Sequence, residues 1–237
     1  MQDNLPPTPL ASDAPDRSGA TRERLILAAE AMFAREGLDA VSLRQVNAAA
    51  GQRNASAAHY HFGSKEALIE AVSSYRLARV NLRRMERLAA IEARGTPGLR
   101  DLVEVMVLPM VEEIEQTAGG ANYIQVLAQL GGHPVHDLAK LVRSKNAEAL
   151  QRCSKLAAAQ LSEIPYRVFE ARFGLMILTA ITALANRERM LISPVTDEKV
   201  EMPMLVSVLI DSLVASLSAP LSASTMAELG HSTKMLA

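Results

Sequence analysis

Apolar side chains recur every third or fourth position through most of the chain, the period of helices that bury one face. Leu25, Ala28 and Met32, with Ile26, Ala29 and Phe33, form a broad stripe over 21–36, and Gly37 follows where such a helix stops. After the linker Leu38-Asp39-Ala40-Val41, Ser42 and Gln45 stand at the S-x-x-Q spacing of a capping box, which satisfies two free backbone N–H groups at a helix start. Leu43, Val46 and Ala50 then share a small apolar face, and Gly51 ends it with a residue that turns left-handed without a Cβ penalty. At Gln52 the pattern changes. Residues 52–61, QRNASAAHYH, hold almost no large aliphatics and many hydrogen-bonding groups. A helix of that composition suits a groove with polar edges, such as the DNA major groove, better than a core.

The helical period resumes at Ser64. Lys65 and Glu66 open a helix with Leu68, Ala71, Val72 and Tyr75 on one face, which runs to about Arg94 and ends at Gly95-Thr96-Pro97-Gly98. Arg76, Arg79, Arg83, Arg84 and Arg87 along it read as a solvated face. Further helices are expected over 98–116, kinked at Pro109, over 122–130 between two glycine pairs, from Pro134 to about Ala159, over 166–190 after Pro165, and over 200–217. Ser193-Pro194 breaks the last two apart. Residues 1–19, rich in Pro, Asp and Ser, read as a disordered arm, and 219–237 as a flexible tail. No strand-like alternation and no repeat is present, so the fold class is all-α.

Composition changes this picture only locally. The 237 residues carry a net charge of −1 and are 49% hydrophobic, enough for a packed core and far from a polyelectrolyte. Between Arg17 and Lys65, however, Arg17, Arg22, Arg24, Arg35, Arg44, Arg53 and Lys65 outnumber Glu23, Glu30, Glu36 and Asp39. Nucleic-acid footprints are patches of this kind. A single cysteine, Cys153, excludes an internal disulfide, and the N-terminus shows no signal-peptide pattern. The uncharged apolar stretch from Phe173 to Asn186 falls short of the ~20 residues that span a bilayer. The expectation is a cytoplasmic protein with no membrane partner.

The run from Thr21-Arg22-Glu23-Arg24-Leu25-Ile26 through Phe33, Gly37, the Ser42 cap and Gly51 to Tyr60-His61-Phe62-Gly63-Ser64-Lys65-Glu66-Ala67-Leu68 resembles the N-terminal domain of the TetR family of bacterial transcriptional regulators. The resemblance covers roughly residues 20–72, with one residue more between Gly51 and Phe62 than the family usually has. It implies a three-helix helix-turn-helix domain over 20–66 and a larger helical effector-binding and dimerisation domain over 67–218. Gln52, Arg53, Asn54, Ser56 and His59 become candidates to reach DNA, since arginine pairs with guanine and asparagine with adenine. Lys65, at a helix start, suits a phosphate, and the resemblance implies phosphate contacts for Thr21, Arg22, Ser42 and Arg44 as well. Tyr60 and His61 fit either the small domain's core or a phosphate contact, with core first for Tyr60.

In the second half, Met85, Met106, Met110, Tyr123 and Leu127 lie near breaks and the proline kink, and flexible Met-lined space suits an apolar effector, held by one hydrogen bond from Tyr123 or Gln125. Phe169, Phe173, Ile177 and Ile181, with Leu205, Leu209 and Leu213, make apolar stripes that would close a four-helix bundle between two copies, the dimer that the resemblance favours. A larger intrachain core is the other reading of these stripes. His59-x-His61 and His133-x-x-His136 lack further ligands for a tetrahedral site, so no metal is expected, nor any cofactor. Cys153 reads as a half-buried spectator. No phosphate loop, nucleophile elbow or metalloprotease motif is present, so no catalytic residue is expected. The function expected is a ligand-responsive repressor on a palindromic double-stranded operator. The alternative is an all-helical ligand-binding or scaffold protein whose helix-turn-helix does not bind DNA.

Overall fold

In a computed structural model of the chain, the described residues are 17–54, 56–133, 138–187 and 200–234. The arm over 1–16, Ala55, Pro134, His136, Met190 and Ser193-Pro194 lie outside them. Among the described residues all regular structure is helical. Helices α1 (Arg17–Glu36), α2 (Leu43–Ala49) and α3 (Ala57–Phe62) form the N-terminal head. Helix α4 (Lys65–Glu92) leaves the head and continues into the larger part as one 28-residue helix. The expected boundary at 66/67 therefore falls in its first turn. Helices α5 (Leu99–Gln116), α6 (Gly120–Gly131), α7 (Leu138–Val142), α8 (Glu148–Gln160), α9 (Tyr166–Ala185), α10 (Met202–Ser218) and α11 (Ala223–Lys234) complete the chain.

Three expectations need correction. Helix α1 begins at Arg17, inside the expected arm, and the expected tail contains α11. The single helix expected up to Ala159 is interrupted: α7 ends at Val142, a 3-10 turn covers Lys145–Ala147, and α8 starts at Glu148. Gln151 explains the interruption, because its amide donates to the carbonyls of Val142 and Ser144 at 3.0 and 3.1 Å and satisfies the broken end. The helix expected over 166–190 ends at Ala185, with no glycine or proline beside it, whereas α1, α3 and α6 end at Gly37, Gly63 and Gly132.

The core runs without interruption from the head to α10. Leu25, Ile26, Ala29 and Phe33 of α1 pack on Val46 of α2, Ala57 and Ala58 of α3 and Leu68, Ile69 and Val72 of α4, all buried. Helix α6 packs against both α1 and α9, and α10 against α5 and α9. The α5–α6 junction is unusually close. Gly119 turns at φ +77°, and a Cβ on Gly120 would sit 1.8 Å from the Glu113 carbonyl oxygen. Only glycine at 120 lets α6 start against the end of α5.

Of the α4 arginines expected on a solvated face, Arg79 is exposed, but Arg83 and Arg87 are half-buried and Arg76 and Arg84 are buried. Arg76 is 1% exposed, and its guanidinium donates to both Glu30 oxygens and to Glu113 Oε1, each at 2.8 Å, and to the Ala118 carbonyl at 2.8 Å. Arg83 donates to the other Glu113 oxygen at 3.1 Å, and Arg87 pairs with Glu112. Burial raises the Glu30 carboxyl above its usual range, opposed by the Arg76 fork. The charges balance pair by pair, which is the condition for keeping them buried. This cluster bolts α1, α4 and α5 together under the head.

Candidate nucleic-acid interface

The head is built to expose the segment after Gly51. Ser42 closes its capping box: Oγ accepts the Gln45 N–H at 3.3 Å, and Gln45 Oε1 accepts the Ser42 N–H at 2.9 Å. Gly51 turns at φ +64°. Asn47, buried on α2, accepts the Ala58 N–H on its Oδ1 at 2.8 Å, which satisfies a first-turn donor of α3 and sets that helix against α2. Asn47 was no candidate, because an asparagine inside a helical pattern carries no signal of what lies across from it. Ala57 and Ala58 form the buried side of α3, so His59 and Tyr60 point outward.

Tyr60 is 82% exposed, against the expectation that it fills the core. His61 is half-buried, edge-on to Tyr60 with ring centroids 5.2 Å apart. The helix after Gly51 is also shorter than expected. It begins at Ala57 and not at Gln52, and the described residues between Gly51 and Ala57 lie outside any helix. There Asn54 Oδ1 accepts the Ser56 N–H at 2.9 Å, an Asx turn, so that oxygen serves its own backbone. The Gln52 amide donates to the Ala50 carbonyl at 3.3 Å. Arg53, Ser56 and His59 are exposed, and among the described residues their side chains make no such local bond.

Around this segment lie the expected phosphate contacts. Arg44 and Ser42 are exposed at the start of α2. The Arg22 guanidinium sits over the Phe62 ring, 5.1 Å from its centroid, and Thr21 Oγ1 accepts from Arg24 at 3.2 Å. Lys65 donates from Nζ to the Asp39 carbonyl at 2.7 Å, pinning the α1–α2 link, and an ammonium keeps two further donors. With Glu30 drawn inward to Arg76, the outward face is more basic than the residue count suggests.

Two family profiles match the chain. One, described as bacterial regulatory proteins, tetR family, covers residues 25–72, and a tetracyclin repressor-like C-terminal domain covers 104–216. The chain belongs to the TetR family of bacterial transcriptional regulators. Among solved structures it is similar to native NalD, the secondary repressor of the MexAB-OprM multidrug efflux pump in Pseudomonas aeruginosa, at 20% identity, over 86% of this chain and 100% of that one, with a TM-score of 0.50. It is similar to AmtR of Mycobacterium smegmatis at 16% identity, over 93% and 98%, with a TM-score of 0.48. At such identities the likeness concerns the fold. A comparison with curated proteins finds no match. As a member of the TetR family the chain is a DNA-binding regulator, and the C-terminal profile places the half that the residues alone left without a family.

In this TetR-family protein the larger part holds a cavity of about 40 Å³ lined from α4, α5, α6, α7, α8 and α9. Met106, Met110, Tyr123 and Leu127 line it as expected; Met85 does not. Gln125, the other candidate donor, gives its amide to the Ala185 carbonyl at 2.5 Å. Arg84 lines the cavity and was not a candidate, because its spacing on α4 reads as surface. Cys153 is fully buried, not half-buried, and burial pushes its thiol up to about 11.

The residues expected at the dimer interface lie mostly inside the protomer. Phe169, Phe173, Ile181, Leu209 and Leu213 are buried, and Ile177 and Leu205 are half-buried. Ile177 and Ile181 line the inner cavity. The outward faces of α9 and α10 carry Leu175, Leu178, Met204 and Val208 instead. Helix α9, at 20 residues, is long and apolar enough to cross a membrane by length and composition, which the stretch from Phe173 to Asn186 does not reveal. It packs against α6 and α10, with 44% of that window buried in the protein.

Proposed function

We propose that this regulator is a ligand-responsive repressor that binds a palindromic operator as a homodimer. The head over about 20–66 reads DNA, and residues 67–218 bind the effector and the second copy. The observation that carries this reading is the outward face of the head, where Arg53, Ser56, His59 and Tyr60 stand exposed on a segment fixed from below by Asn47 and Gly51. In this reading they meet base edges and nearby phosphates, and Thr21, Arg22, Ser42, Arg44 and Lys65 grip the backbone.

Response to a ligand is supported by α6. Tyr123 and Leu127 of that helix line the cavity. Two residues on, Gln129 accepts the Leu38 N–H at 3.0 Å and donates to the Phe33 carbonyl at 2.9 Å, at the end of α1. His133 reaches Asp39 at 3.3 Å. A ligand that shifts α6 therefore shifts the head, and operator affinity falls by the ligand's differential affinity for the two arrangements. Two heads would enter successive major grooves about 34–36 Å apart.

A gel shift with the DNA upstream of the protein's own gene tests the reading. Wild type is expected to retard it, and Arg53→Ala to weaken specific binding by ~1–3 kcal/mol with less effect on random DNA. Equal operator affinity in Arg53→Ala and wild type would sink this assignment of the recognition segment.

A further inference from the structure

The inner cavity holds a cation that no described acid answers. Arg84 is 4% exposed and forms part of the cavity wall with Met106, Met110, Tyr123 and Leu127. Its Nε and Nη2 both donate to the Met106 carbonyl, at 3.2 and 2.8 Å. Arg76, Arg83 and Arg87 on the same helix each have a carboxylate partner; among the described residues Arg84 has none. Its third nitrogen, Nη1, makes no hydrogen bond to a described group. A guanidinium stays protonated in a protein, so an unpaired one in an apolar site is held at a cost. Burial pulls Arg84 below the usual arginine range, which is that cost expressed on its proton.

The Met106 carbonyl alone does not call for an arginine. Pro109 lacks an N–H, so the neighbouring Val105 carbonyl loses its helical donor and α5 is loosened here. A neutral donor would answer a carbonyl at such a kink. What arginine adds is a charge and an unspent N–H. A second unspent donor stands in the same wall: Tyr123 is 1% exposed, and its hydroxyl makes no hydrogen bond among the described residues. Burial raises its phenol above the ordinary range, so it stays a neutral O–H donor, and it lies within the field of Arg84.

We propose that Arg84 and Tyr123 form the anchor for an apolar effector bearing a carboxylate. The acid accepts from the Arg84 Nη1 and the Tyr123 hydroxyl, and the apolar body lies against Met106, Met110 and Leu127. The inference rests on the effector reading above and names the ligand's class. The inner cavity by itself, about 40 Å³, holds a few waters and not a typical ligand. It shares Leu138, Val142, Leu150 and Ile177 with an outer groove of about 690 Å³. The ligand's body passes those four side chains into the groove.

Calorimetric titration of the full chain tests the anchor. The probes are decanoate, benzoate and naphthoate, each beside its neutral amide. At least one acid is expected to bind wild type at least tenfold more tightly than its amide. Arg84→Met is expected to erase that preference, and Tyr123→Phe to weaken acid binding by a smaller factor. Arg84→Gln, which keeps a neutral donor for Met106, is expected to lose the preference as well, and thermal unfolding of all variants checks that they fold. Amides that match the acids on wild type, or a preference that survives Arg84→Met, overturn the proposal. Operator release is measured beside binding. Neutral compounds that bind and release DNA while acids do neither would overturn the anchor and leave the effector reading standing. No binding and no release by either class would overturn both.

Discussion

Asn47 and Asn54 lie seven positions apart in the head and were alike in the sequence, one on a helix pattern and one in a polar run. The structure separates them by burial. Asn47 is buried and holds the Ala58 N–H, while Asn54 is exposed and caps its own turn. Removing a buried acceptor leaves its donor unsatisfied, so Asn47→Ala is expected to cost ~1–3 kcal/mol in urea unfolding, whereas an exposed cap such as Asn54 costs ~1 kcal/mol. Equal losses in the two variants would mean that the Asn47 bond is not buried in solution. Asn47→Ala is also expected to weaken operator binding, since α3 loses its tie to α2. Tyr60 illustrates a related blindness. An aromatic residue in a small domain reads as core, yet α3 is six residues long and Ala57 and Ala58 already form its buried side. A helix of under two turns has one inward face, and its period then forces residues 59 and 60 outward.

At the scale of elements, breaks were legible and faces were not. Glycine and proline act on their own backbone, so the ends of α1, α4, α5 and α6 could be placed from the residues that cause them. The inward turn of Arg76 could not, because its partners Glu30 and Glu113 are 46 and 37 residues away. Charge at helical spacing usually means water; here it means a balanced cluster joining three helices. Arg76→Met strands a buried carboxylate and is expected to destabilise by ~3–5 kcal/mol, with part of the loss recovered when Glu30→Gln is added. Chemical denaturation of the two single variants and the double measures this. Additive losses would show that the pair is not coupled. The α7–α8 interruption was equally hidden, since Gln151 caps it through space and no breaker residue marks it.

At the scale of the molecule, the apolar excess of α9 and α10 announced that these helices have more to bury than one face each. It did not say which face goes inside. Phe169, Phe173, Leu209 and Leu213 went into the protomer, leaving Leu175, Leu178, Met204 and Val208 outside. If a second copy covers them, a charge placed there is desolvated without a partner. Leu175→Glu with Val208→Glu is therefore expected to turn the dimer into a monomer in sedimentation velocity and to reduce operator binding strongly. A variant that sediments like wild type would move the interface elsewhere. The residues by themselves determined the helical class, the capping box, the Gly51 turn and the polar segment behind it, because periodicity, caps and left-handed turns are properties of neighbours in the chain. The tertiary structure decided where the recognition segment's outward side lies, that Arg76 is a bolt and Arg84 a cavity cation, and which stripe of α9 remains outside. Those outcomes depend on which distant group supplies a hydrogen bond, a counter-charge or a packing surface, and no local pattern contains that information.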